Sequence, residues 1–147
     1  MGKKYYEEQL QVHIQNMAVG ETFVTKSRVV TRTELELYAS INGDTLPVFL
    51  SEEASRKAGW DGHLVPGLLT FSLAVGLLIQ SGFISQVVAF LGCDQVKFLK
   101  PVYAYDEIHV AAEVLSKKTT EKGKSVCTYK WHVINQRDEL VAEGVNR

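Results

Sequence analysis

Asp44 is the carboxylate of this chain best placed to act as an acid or a base. It follows Asn42-Gly43, a pair that stops a helix because glycine accepts the left-handed conformation of a helix C-terminus. Its side chain therefore falls on a turn, free to face a cleft, although an Asp there also commonly bonds its neighbours' amides. His63 is the imidazole that could join it. It sits in the loop Trp60-Asp-Gly-His-Leu64, just ahead of the most apolar stretch of the chain, and histidine is the usual acid–base group near pH 7. An isolated loop histidine is more often structural, so both roles stand for His63. His13, His109 and His132 lie in an N-terminal arm or in strands without a partner motif, and they read as structural. Thr70 and Ser72, inside the apolar stretch, read as hydroxyls bonded back to helix carbonyls rather than as nucleophiles. No Gly-x-Ser-x-Gly, P-loop or dinucleotide fingerprint is present.

The elements that must position these groups follow from local pattern. Gly20 to Val30 alternates roughly and is rich in β-branched residues, which predicts a strand. Thr31-Arg-Thr-Glu34 has capping-box spacing, and Leu35, Tyr38 and Ala39 continue at helical intervals to about Asn42. Ser51 to Ala58 predicts a second short helix, with Ser51 as its cap and acids in the first turn. Pro66 to Ile79 is apolar on all sides, which predicts a buried central helix opened by a proline. The run is too short to cross a bilayer. Beyond it, Val87–Gly92, Val96–Lys100, Glu107–Leu115, Lys124–Ile134 and Leu140–Val145 read as strands. Lys117 to Gly123 reads as a solvated hairpin tip and Asn135 to Asp138 as a turn.

Bulk properties set the limits. The 147 residues suffice for one core, and 46% apolar with 22% charged residues is ordinary for a soluble globular protein. A net charge of -1 gives no reason to expect nucleic acid or an anionic membrane as partner. Cys93 and Cys127 lack any metal-ligand spacing, so no zinc or other metal site is expected; they read as buried free thiols of a reducing cytosol. The N-terminus carries no apolar run of a secretory signal, so a cytoplasmic location is expected. One helix beside a run of antiparallel strands predicts an α+β architecture in a single domain, 1–147, with residues 1–19 as an arm.

The segment Tyr38-Ala-Ser-Ile-Asn-Gly-Asp-Thr-Leu-Pro-Val-Phe49 resembles the signature of the MaoC-like (R)-specific enoyl-CoA hydratases and dehydratases. In that family Gly-Asp, one residue, then Asn-Pro-(aliphatic)-His follows a short helix. Gly43, Asp44, Pro47 and Val48 fall in register, while Leu46 stands at the Asn and Phe49 at the catalytic His. Further matches follow in order: Gly20-Glu-Thr-Phe23, Val65-Pro-Gly-Leu-Leu-Thr70, Val96-Lys-Phe-Leu-Lys-Pro-Val-Tyr103 and Asn135 to Gly144. Pro66 replaces a histidine frequent in the family, and Tyr105-Asp106 departs from its Gly-Asp.

The resemblance implies a hotdog fold, an antiparallel sheet wrapped around the central helix. It also implies syn hydration of enoyl thioesters of CoA or acyl carrier protein, or the reverse dehydration of 3-hydroxyacyl groups in fatty acid metabolism. No cofactor is called for. Asp44 matches the catalytic Asp, with His63 the candidate to replace the missing imidazole. Gly67, with Leu68 beside it, matches the backbone amides that polarise the thioester carbonyl. Leu46, Phe49, Tyr38 and Trp60 are candidates to line the pocket, although the last two read first as aromatics that complete the core. The resemblance implies a homodimer or dimer of dimers. Two other functions stay open: a catalytically silent acyl-thioester-binding protein or hetero-oligomer partner, favoured by Phe49 and Leu46, and an acyl-CoA thioesterase, which needs only one carboxylate.

Overall fold

The computed structural model describes residues 2–6 and 12–147. Its elements are β1 (Lys4–Tyr6), β2 (Thr22–Val24), β3 (Arg28–Val29), α1 (Arg32–Asn42), α2 (Pro47–Leu50), α3 (Glu52–Lys57), α4 (Gly67–Gln80), β4 (Cys93–Phe98), β5 (Glu107–Thr119), β6 (Ser125–Asn135) and β7 (Leu140–Asn146). The sheet runs β1-β2-β5-β6-β7-β4, with β3 extending the β2 side along β5. All described pairings are antiparallel except β1 with β2.

Helix α4 packs on the inner face of this sheet. Phe71 stacks on Trp131 of β6 at 4.9 Å, and Phe83, just past the helix, meets Phe23 and Tyr129 at 5.4 and 5.3 Å. Trp131 lies flat over Gly144 of β7, where even a Cβ would approach the ring to 2.5 Å. Its indole N–H donates to Asn146 Oδ1 at 2.9 Å, and Asn146 Nδ2 donates to the Tyr129 hydroxyl at 3.1 Å. Every polar group of that buried trio is thereby paired, as burial of amide and phenol requires.

Four expectations need correction. The stretch Gly20 to Val30 is two strands, because Thr25 interrupts the ladder: its hydroxyl accepts from the Val110 amide at 3.0 Å and donates to the Lys26 carbonyl. Val87 to Gly92 is no strand. Val87, Val88, Phe90 and Leu91 all face solvent, so no alternating face exists to bury. Helix α4 is buried on one side only: Leu68, Ser72 and Ile79 form an open stripe in the single chain. Cys93 is exposed, since β4 is the sheet's edge, and Cys127, near the start of β6, is half-buried, rather than both being buried. The expected arm is partly built in: β1 pairs with β2, and Ile14 and Met17 enter the core, while residues 7–11 lie outside the described ones.

The β6–β7 turn is locked by charge. Glu139 receives hydrogen bonds from Lys100, Asn135 and Arg137, in that order of effect, which hold its carboxyl at about 2 against an ordinary 4.5. A lowered folded-state pKa stabilises above the unfolded value and loses that contribution as the carboxylate protonates. Acid unfolding followed by circular dichroism should therefore steepen between pH 4.5 and about 2 in the wild type. Glu139→Gln should flatten that part of the curve; an unchanged curve would show the cluster to be inconsequential.

Candidate functional site

Three short pieces of chain meet at the candidate site, and each is fixed by its local sequence. Helix α1 begins with a full capping box, Thr31 Oγ1 accepting from the Glu34 amide and Glu34 reaching back to the Thr31 amide at 2.8 Å. It ends at Gly43, whose φ of 79° turns the chain out of the helix. The Asp44 amide then donates to Asn42 Oδ1 at 2.9 Å, which leaves the half-buried Asp44 carboxylate on the turn. Leu46 occupies the N-cap of α2 with no side-chain bond to offer, where an asparagine would cap, and Pro47 opens the helix. Leu46 is exposed and Phe49 half-buried.

Helix α2 is held by its carbonyls. Ser55 of α3, fully buried, donates to the Val48 carbonyl and accepts from the Leu64 amide at 3.1 Å. His63, also buried, places Nε2 at 2.5 Å from the Phe49 carbonyl oxygen. Two side chains thus bind the Asp44–Phe49 segment to the loop preceding α4. Sequence reasoning missed Ser55. Ser55 stands among charged residues in a six-residue helix, a position that no motif marks.

That loop is stitched on its other side to residues 102–104. Val65 N–H donates to Val102 O at 2.8 Å, Ala104 N–H to His63 O at 2.9 Å and Asp61 N–H to the Tyr103 hydroxyl at 3.0 Å. Gly62 lies against the Tyr103 ring. The chain then enters α4 through Pro66, whose carbonyl accepts from Leu69 and Thr70 at 3.0 and 3.1 Å. The amides of Gly67 and Leu68 keep no carbonyl partner among the described residues, as the first turn of any helix leaves donors over. The Phe98 ring of β4 covers Gly67 so closely that a Cβ would meet it at 2.9 Å.

The structure therefore brings Asp44, Leu46, Phe49, His63, Gly67 and Leu68 onto consecutive, mutually tied segments. Asp44 and His63 share no hydrogen bond among the described residues, and the imidazole nitrogen that is engaged serves Phe49. Tyr38 packs partly on the core, and Trp60 is 40% exposed with its amide on the Ser55 carbonyl. The Tyr38 hydroxyl is raised above its ordinary pKa by burial and then by the Asp44 charge, with a hydrogen bond to Asn42 opposing. Ser72 donates back to the Leu68 carbonyl at 2.9 Å as expected, but Thr70 Oγ1 is buried without a partner. Among the described residues no group of three or more His, Cys, Asp or Glu could hold a metal, and no helix is long and apolar enough to cross a membrane.

Comparison with known proteins agrees with this frame. The family model described as "MaoC like domain" matches residues 14–135. The chain is 27% identical over 125 residues to the mitochondrial 3-hydroxyacyl-[acyl-carrier-protein] dehydratase of Arabidopsis thaliana, covering 85% of this chain and 72% of that one. A MaoC-like dehydratase structure from Rhodospirillum rubrum aligns with a TM-score of 0.79 at 25% identity, over 92% and 93% of the two chains. The (R)-hydratase from A. caviae involved in PHA biosynthesis aligns with a TM-score of 0.73 at 25% identity, over 90% and 96%. This protein belongs to the MaoC-like domain family, and its fold is the hotdog.

Removing Ser55's hydroxyl leaves the half-buried Val48 carbonyl and Leu64 amide without this partner, each costing up to about 1–3 kcal/mol. Ser55→Ala should lower the urea midpoint accordingly, and more than Ser51→Ala at the half-buried N-cap of α3. Equal effects would mean that the tie between α2 and the 62–65 loop carries little.

Proposed function

We propose that this chain binds acyl thioesters of CoA or acyl carrier protein between the Asp44–Phe49 segment and the start of α4. There it hydrates enoyl groups, or dehydrates 3-hydroxyacyl groups, with Asp44 as the base and at a rate limited by the missing imidazole. The observation that carries the reading is the pair of unpartnered amides at Gly67 and Leu68, tied through His63 and Ser55 to the segment bearing Asp44. Preorganised amides at a helix N-terminus stabilise the negative charge that develops on a thioester oxygen. Relatives named as dehydratases and as an (R)-hydratase support the same reaction class.

In this reading His63 is an anchor for Phe49 rather than a proton carrier, and Leu46, Phe49, Tyr38 and Trp60 form the apolar wall of the cleft. The open stripe of α4, the exposed Leu46, Phe98 and Leu99 and the free edge of β4 are covered by a second copy, giving a homodimer or dimer of dimers. An unpaired, exposed Cys93 fits a reducing cytoplasm. A second reading has its own observation: two adjacent site positions, Leu46 and Phe49, are apolar where the family places Asn and His. That favours a silent acyl-binding protein or the inactive half of a hetero-oligomer.

Purified protein mixed with crotonyl-CoA and longer enoyl-CoAs separates these, with enoyl absorbance and released thiol followed together. Absorbance loss without thiol is the expected result, and Phe49→His should raise it by about 10²–10⁴-fold, the usual worth of a general acid–base partner. Thiol release would make the protein a thioesterase. Silence in the wild type with activity in Phe49→His would select the acyl-binding reading. Sedimentation should show a dimer or tetramer; a monomer would contradict the second copy.

A further inference from the structure

Strand β4 ends the sheet, and no strand lies along its outer edge among the described residues. Its residues divide between two faces. Cys93 and Phe98 stand opposite the buried Asn146 and Ala142, on the face that carries α4. Asp94 and Lys97 stand opposite Val145 and Glu143, and the irregularity between them puts both charges on the outer face. Asp94 meets Arg147 at 3.1 Å. The exposed Lys97 has no ion pair among the described residues, since its neighbour Glu143 lies 3.4 Å from His132 Nε2.

A second copy related by a two-fold axis through the sheet keeps both inner faces on one side and sets the two β4 edges antiparallel. Charge then chooses the register, because like charges directly opposite destabilise a strand pair. Asp94 against Asp94 of the second copy, or Lys97 against Lys97, puts like charges on the axis. Lys97 against Asp94 of the second copy joins opposite charges twice, and it also sets Phe98 against Cys93, inner face to inner face. Counting outward, Leu99 meets Gly92 of the second copy and Lys100 meets its Leu91. The run that precedes Gly92 thus lies along residues 100–104, which hydrogen-bond the 63–65 loop, at the end of β4 where Phe98 covers Gly67. In that run Val87, Val88, Phe90 and Leu91 are all exposed in the single chain, as are Leu68, Phe98 and Leu99 of the site they approach. Two uncovered apolar groups of one chain meet across the axis.

We propose that the Val87–Leu91 segment of a second copy forms the outer wall of this site, and that an acyl chain lies between that segment and the open stripe of α4. The assignment rests on the thioester-binding reading above and adds which residues the second copy lends. Each site is therefore built from two chains, and a separated chain holds an acyl group on one side only.

Charge reversal tests the register, and acyl length tests the wall. Lys97→Asp and Asp94→Lys, each checked by thermal melting, should each weaken the dimer about tenfold in sedimentation over a dilution series, and the double variant should restore it. Unchanged association in both single variants, or no restoration in the double, overturns the register. Phe90→Ala should weaken binding of an eight-carbon enoyl-CoA about tenfold, and of crotonyl-CoA much less, since only the longer chain reaches the lent segment. Equal losses for the two ligands, or none, overturn the wall. A wild type that binds neither ligand removes the thioester reading and the wall with it, while the charge reversals still report the register.

Discussion

The site depends on one constraint: residues 63–65 must be held from both sides while the helix they lead into starts bare. On one side Ser55 and His63 connect this loop to α2; on the other, Val102 and Ala104 connect it to the run entering β5. Backbone hydrogen bonds alone could not do this, because α2 offers only the carbonyls of a single turn. Two buried side chains therefore complete the connection, and proline at the helix cap keeps the first amides exposed to whatever lies in front of them. The loop's hydrogen bonds follow from its burial, because a group removed from water must find another partner.

The sheet supplies the backing. Trp131 rests on Gly144 and bonds Asn146, and Phe71 of α4 stacks on the same indole, so helix and sheet are registered at one aromatic ring. Phe98 does the corresponding work at the opposite end, lying over Gly67. Both glycines are close-approach positions, where any side chain would lift an aromatic ring off the backbone. Tightness at Gly67 fixes how closely the Phe98 ring approaches the start of α4.

Much of this was legible in the sequence where local chemistry decides structure. The capping box at Thr31 and Glu34, the Gly43 stop, the Ser51 cap and the Pro66 entry all depend on neighbours within a few residues, as does the β5–β6 turn, although Lys117 to Thr119, expected in its tip, are still paired in β5. The order of family-like motifs placed Asp44, Phe49 and Gly67. What could not be read depends on contacts made across long separations. Thr25 breaks its strand by bonding Val110, 85 residues away. Ser55 and His63 gain their meaning from α2 and the following loop. Val87 to Leu91 has the composition of a buried strand, yet no neighbouring strand pairs with it.

That last stretch has a consequence for handling. Val-Val-Ala-Phe-Leu is five uncharged residues of high β-propensity, without proline, laid on the outside of the chain. Such a segment is a nucleus for intermolecular cross-β association wherever it is left uncovered. A net charge of -1 supplies little long-range repulsion against that association, so solubility falls to the sequence of this one stretch, where a single charged residue would act as a gatekeeper.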